Sequence, residues 1–184
     1  MNDYVKVKIV VLGDENTGKT KFIEYLKNGY DNINFENYIL TTAGSLVERS
    51  IIYNDKYYKL EIWDTLGKER YSILNRLFFR DADIIFIFFN YYERKTFERV
   101  KCFIDEVKLR CENKNCICVL IGNKYDLNIE SKEYNNLVFD EEVLEFANNN
   151  SIIYTHISTL EKNSNGINEL MIKTFHKFIE INNI

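Results

Sequence analysis

Gly13-Asp14-Glu15-Asn16-Thr17-Gly18-Lys19-Thr20 is the stretch that decides the fold. It fits G-x-x-x-x-G-K-[ST], and its surroundings are those the pattern needs. Residues 4–13 (YVKVKIVVLG) alternate and then become continuously apolar, as a strand does on entering a sheet interior. Residues 19–28 follow with Phe22, Ile23, Tyr25 and Leu26 at helical spacing. A strand, a glycine-bearing turn and a helix start place successive backbone N–H groups around a concave anion site, at the positive end of the helix. Lys19 would reach the outer phosphates and the Thr20 hydroxyl would ligate Mg²⁺. The bland alternative is an ordinary strand–helix turn. A phosphate loop alone does not name the base, because kinases and ATPases use the same device.

Outward from that loop the chain keeps alternating. Gly29 to Tyr38 is polar and Asn-rich and reads as a loop. Residues 46–54 and 57–63 read as strands separated by Asn54-Asp55-Lys56, a hairpin turn. A helical stretch near 69–80 precedes a very apolar strand at 83–90. A helix follows from Thr96 to Arg110, with Phe97, Val100, Phe103, Ile104 and Val107 repeating by threes and fours. Residues 116–122 form a buried strand. Asp140 is expected to cap a short helix that ends in Asn148-Asn149-Asn150. Residues 151–157 form the last strand. The final helix starts after Gly166, with Ile167, Leu170, Met171, Phe175, Phe178 and Ile179 as its apolar stripe. One antiparallel hairpin inside a strand–helix series implies a single α/β domain over 1–184, a six-stranded mixed sheet with helices on both faces.

Composition agrees. The 184 residues are 46% hydrophobic, enough for one core. A net charge of -4 argues against a nucleic-acid partner. Cys102, Cys111, Cys116 and Cys118 have no histidine at metal-ligand spacing, so buried free thiols and a reducing compartment are expected. Cys116 and Cys118 should share a strand face. Met1 to Lys8 is too charged for a signal peptide, and no run approaches the ~20 apolar residues of a membrane span.

Asn123-Lys124-Tyr125-Asp126 follows the strand at 116–122. This N-K-x-D resembles the guanine-specificity motif of Ras-superfamily GTPases. Guanine offers two donors, N1–H and the exocyclic amine, and one carboxylate accepts from both. Asp126 would discriminate against adenine, which lacks that pair. Asn123 would brace the loop and the Lys124 stem would lie along the ring. In the same resemblance Ser158-Thr159-Leu160 takes the place of S-A-K, matching only in its serine.

Trp63-Asp64-Thr65-Leu66-Gly67-Lys68-Glu69-Arg70-Tyr71 resembles W-D-T-A-G-Q-E-R-[FY], a pattern typical of Rab proteins, and Lys59-Leu60-Glu61-Ile62-Trp63 resembles their K-L-Q-I-W. The resemblance runs from the first strand to the last helix. It implies a P-loop GTPase domain, GTP/GDP and Mg²⁺ as ligands, and a role in vesicle or membrane trafficking. It implies that Thr20, Thr41 and Asp64, the last through water, serve the metal. Gly67 would touch the γ-phosphate, with Lys19, Thr41, Gly67 and Lys68 as the catalytic set. Counting back from Asp64 gives Thr41 as the switch threonine, with Thr42 one step away. Ring stacking falls to Tyr30 or Phe35. Exchange factor, GTPase-activating protein and effectors would use loops 30–45 and 66–76.

The departures bear on mechanism. Lys68 stands where the family keeps the glutamine that orients attacking water, and lysine is only a donor. Leu66 replaces a small residue beside Gly67. Glu15 and Asn16 occupy positions that are small in Ras and Rab proteins, and Ala43-Gly44-Ser45-Leu46 departs from the Rab I-G-V-D-F. No cysteine follows Cys118, so no direct lipid anchor is expected, and the protein is expected to be a cytoplasmic monomer that reaches membranes through protein partners. The readings that stand are a slow GTPase switch, a non-catalytic guanine-nucleotide scaffold or decoy, and, far behind, a P-loop kinase.

Overall fold

A computed structural model describes residues 4–28, 46–65, 76–124, 136–159 and 165–184. Six strands carry the domain: β1 (Tyr4–Gly13), β2 (Leu46–Tyr53), β3 (Lys56–Asp64), β4 (Ile84–Asn90), β5 (Ile117–Asn123) and β6 (Ile153–His156). Interleaved are helices α1 (Lys19–Asn28), α2 (Arg76–Phe79), α3 (Arg94–Glu98), α4 (Val100–Arg110), α5 (Asp140–Asn150) and α6 (Asn165–Asn182). The strand order is β2-β3-β1-β4-β5-β6. Among the described residues only β2 and β3 pair antiparallel. This is the mixed six-stranded α/β sheet that the alternation of the sequence implies.

The apolar pattern explains the layering. Every residue of β4 (IIFIFFN) is buried, because helices cover both faces of the central strands. On one face Val7, Ile9 and Val11 of β1 pack with Phe22 of α1 and Phe175 of α6. On the other, Val10 and Leu12 pack with Phe97 and Phe103 from α3 and α4 and Val143 from α5. The chain runs from β1 to the β2–β3 hairpin on one side and then to β4 on the other. Strand order therefore reverses around β1, and the crevice beyond the carboxyl ends of the strands is where such a sheet takes its ligands.

Several expectations move. The hairpin loop is only Asn54 and Asp55, at φ 48° and 60°, so Lys56 belongs to β3 and pairs with Tyr53. The helix expected from Thr96 to Arg110 is two, joined at Arg99. Asp140 does not cap α5: Phe139 holds the N-cap position without a side-chain bond, and Asp140 Oδ1 instead accepts Tyr91 Oη at 2.5 Å and Tyr154 Oη at 2.6 Å. The buried phenol of Tyr91 and the half-buried one of Tyr154 outcompete the local backbone for that carboxylate. β6 is shorter than 151–157, because Ser151 is the left-handed residue that closes α5. Of the four thiols Cys102 is exposed and the others are half-buried, so full burial does not hold. Cys116 and Cys118 do pack against the same core cluster. Of the helix expected near 69–80, only its end, as α2, lies within the described residues.

Candidate functional site

Gly13 ends β1 at φ +138°, and a Cβ there would come within 2.4 Å of the Phe88 carbonyl oxygen of β4. Only glycine lets the chain leave the sheet at that point. Asn16 follows in a left-handed conformation, φ 61°, and Gly18 at φ +97° delivers the chain into α1. Inside the turn, Lys19 Nζ donates to the carbonyl oxygens of Gly13 and Asp14, the latter at 2.7 Å, and Thr17 Oγ1 donates to Asp14 O at 2.8 Å. Lys19 is only 5% exposed, so its ammonium is committed to the loop interior. Glu15, Asn16 and Thr20 face solvent.

Parallel pairing brings the other candidates to the same end of the sheet. Val11 is in register with Asp64, which closes β3 as a buried carboxylate. Thr65 beside it donates through Oγ1 to Val11 O at 2.9 Å. Asn90 is in register with Asn123 across β4 and β5. Asn123 is fully buried and connects three segments: Nδ2 reaches Thr17 O at 2.7 Å and Thr159 Oγ1 at 3.2 Å, while Oδ1 accepts the Thr159 N–H at 3.1 Å. Asn123 thus joins the phosphate loop, the end of β5 and the segment after β6. Lys124 adopts a left-handed backbone conformation at φ 65°, and Ser158 is buried next to Thr159.

The structure so brings together Gly13, Asp14, Thr17, Gly18, Lys19, Asp64, Asn123 and Thr159 at the carboxyl end of one sheet. Tyr30, Thr41, Gly67, Lys68, Asp126 and Leu160 lie outside the described residues, as do Thr42, Phe35 and Leu66.

Three contributors carry no motif and escape sequence reading. Arg99 Nη1 donates to Asp14 Oδ1, pairing the α3–α4 junction with the phosphate loop. Thr96 Oγ1 accepts the Asn90 N–H at 2.9 Å and donates to Glu93 O at 2.7 Å, shaping the chain after β4. Gly122 leaves room for the Tyr91 ring, which a Cβ would meet at 2.4 Å. Arg99 and Gly122 depend on partners tens of residues away, and Thr96 on a local turn that belongs to no recognised pattern.

The donor set suits a polyphosphate with a hard cation. Two glycines leave space that a Cβ would fill, Lys19 and the N-terminus of α1 supply positive potential, and the Thr20 hydroxyl and Asp64 carboxylate are oxygen donors of the kind Mg²⁺ prefers.

Comparison with known proteins points the same way. A family model described as "Ras family" matches residues 8–180. The chain is similar to Ras-related protein Rab-21 of Geodia cydonium, 30% identical over 179 residues that span 97% of this chain and 73% of that protein. It is 29% identical over 177 residues to Ras-related protein Rab-5A of Dictyostelium discoideum, spanning 96% of this chain and 82% of the relative. With Ras-related protein Rab-19 of Mus musculus it shares 29% over 182 residues, covering 99% and 79%. Matches of that extent, on a sheet whose phosphate loop and N-K-x-D asparagine meet through one hydrogen bond, place this chain in the Ras family as a Rab-like small GTPase.

Proposed function

We propose that residues 1–184 form one guanine-nucleotide switch domain, which loads GTP or GDP with Mg²⁺, hydrolyses GTP slowly and serves vesicle or membrane trafficking. The observation that carries the reading is Asn123, whose amide ties the phosphate loop at Thr17 to the segment at Thr159. In this reading Gly13 to Thr20 hold the phosphates, Asn123, Lys124, Asp126, Ser158, Thr159 and Leu160 hold the base, and Tyr30 stacks on it. Thr20, Thr41 and Asp64 are the oxygen ligands for Mg²⁺, Asp64 through water, and the ion neutralises charge on the outer phosphates.

Slow turnover rests on Lys68 together with Leu66. Hydrolysis needs a group that accepts from the attacking water, and an ammonium has no lone pair to accept with. Gly67 and Thr41 would report the γ-phosphate to loops 66–76 and 30–45, the surfaces for exchange factor, activating protein and effectors. The domain acts in the cytoplasm as a monomer and meets membranes through those partners. Among the described residues no helix is long and apolar enough to cross a membrane.

Nucleotide extracted from purified protein, followed by single-turnover hydrolysis of wild type and Lys68→Gln, tests this reading. Guanine nucleotide is expected, with wild type turning over well below the about 3–5 × 10⁻⁴ s⁻¹ of intrinsic Ras-type hydrolysis and the variant faster. Adenine nucleotide sinks the proposal. Equal rates for the two proteins remove the slow-turnover part. Lys68 and Leu66 also favour a second reading, a non-catalytic scaffold or decoy for regulators of Rab proteins, and guanine nucleotide with no turnover at all would select it.

A further inference from the structure

The phosphate loop carries a carboxylate at its first variable position, an awkward neighbour for an anion site. Asp14 is 5% exposed and directly follows Gly13. Its backbone oxygen already serves the loop, accepting Lys19 Nζ at 2.7 Å and Thr17 Oγ1 at 2.8 Å. Its side-chain charge is answered from far along the chain, by Arg99 Nη1. Arg99 occupies the junction of α3 and α4 at φ -78° and ψ -14°. Its guanidinium also lies over the Phe103 ring, 5.7 Å from the centroid, and Phe103 is buried in the core cluster beneath. Ring and carboxylate together fix where the positive charge sits.

Resting on the nucleotide-binding reading above, we infer that Arg99 is a positioning residue of the nucleotide site, which neutralises Asp14 so that the loop can accept phosphate and holds the Asp14 carbonyl against Lys19. A carboxylate removed from water and left alone repels an incoming di- or triphosphate with little solvent screening. Paired with Arg99 it contributes almost no net charge. The same pairing anchors the loop's first residue to α3 and α4, so the carbonyl that accepts Lys19 keeps its direction. Arginine suits the task better than lysine, because its planar head donates to Asp14 while stacking on Phe103.

A salt bridge that served stability alone would cost unfolding free energy on removal and leave nucleotide retention unchanged. The charge argument predicts instead that deleting the arginine is worse than deleting both charges. Release of a fluorescent GDP analogue would be timed for wild type, Arg99→Ala, Asp14→Asn and the double variant, with thermal unfolding followed on the same samples. Arg99→Ala is expected to release nucleotide about tenfold faster, since it leaves a buried charge uncompensated. The double variant should regain about threefold of that loss, the signature of a coupled pair. Asp14→Asn alone should lose less than Arg99→Ala. Release from Arg99→Ala at the wild-type rate, or from the double variant as fast as from Arg99→Ala, overturns the inference. Should Arg99→Ala fail to fold, Asp14→Asn decides, and a tenfold loss there overturns it too. Wild type that retains no guanine nucleotide overturns the switch reading itself, whereas retention with an unaffected Arg99→Ala overturns this inference alone.

Discussion

Gly18 and Asn123 occupy one small volume: a Cβ on Gly18 would stand 1.9 Å from Nδ2 of Asn123. The glycine of the phosphate loop is therefore required twice, by its φ of +97° and by the amide packed against it. The two motifs read separately in the sequence are one steric unit in the fold. That unit explains why the asparagine is buried completely while the neighbouring Lys124 is not.

Removing the Asn123 side chain leaves the Thr17 carbonyl and the Thr159 N–H without the partners they have at 2.7 Å and 3.1 Å. Each buried polar group stranded in this way costs about 1–3 kcal/mol. Asn123→Ala is expected to lose about 2–4 kcal/mol of stability in urea denaturation and to release nucleotide faster. Thr159→Ala keeps its backbone N–H on Asn123 and should lose about 1 kcal/mol or less. If the two variants unfold at the same urea concentration, Asn123 is not the brace between the Thr17 and Thr159 segments.

How much of this was legible beforehand follows from the range of each interaction. The layered sheet could be read because β1 turns apolar from Ile9 onward, β4 and β5 are apolar up to their closing asparagines, and the hairpin carries Asn54-Asp55, residues that accept left-handed φ. The phosphate loop could be read because its glycines and lysine act within eight residues. The split at Arg99 could not, since Thr96 to Arg110 keeps an unbroken apolar stripe and the break shows only in backbone geometry. Nor could the role of Asp140, which looks like a cap in one dimension and in three is the acceptor for Tyr91 and Tyr154. Local chemistry is written in the sequence; pairings between distant residues such as Arg99 and Asp14 have to be seen.

Gly122 supplies a second steric test, at a position without positive φ. A Cβ there would meet the Tyr91 ring at 2.4 Å and Phe89 at 2.8 Å. Neither ring can swing away easily, because Tyr91 is tied through its hydroxyl to Asp140 and Phe89 packs against Phe97 with centroids 5.0 Å apart. Gly122→Ala should therefore destabilise by about 1–3 kcal/mol, the usual cost of overfilling a packed core. Adding Tyr91→Leu should recover part of that loss, measured by chemical denaturation of all three proteins. A Gly122→Ala protein as stable as wild type would mean that the sheet shifts freely at β5.

The thiols offer a prediction in pH. A hydrogen bond from Cys116 stabilises the Cys111 thiolate and, against the opposing effect of burial, brings Cys111 down to about 7. Burial pushes Cys118 up to about 12, and the bond to Cys111 together with burial raises Cys116 as well. Because Cys111 ionises more readily folded than at its ordinary value of 9.0, it favours the folded state above pH 9 and loses that contribution as pH falls toward about 7. The thiolate is the reactive form, so iodoacetamide at pH 7.5 should modify Cys111 well ahead of Cys118, as read by peptide mass spectrometry. Cys116→Ala removes the donor and should move the Cys111 alkylation midpoint upward. A midpoint unmoved by that substitution would show that the neighbouring thiol does not set the acidity of Cys111.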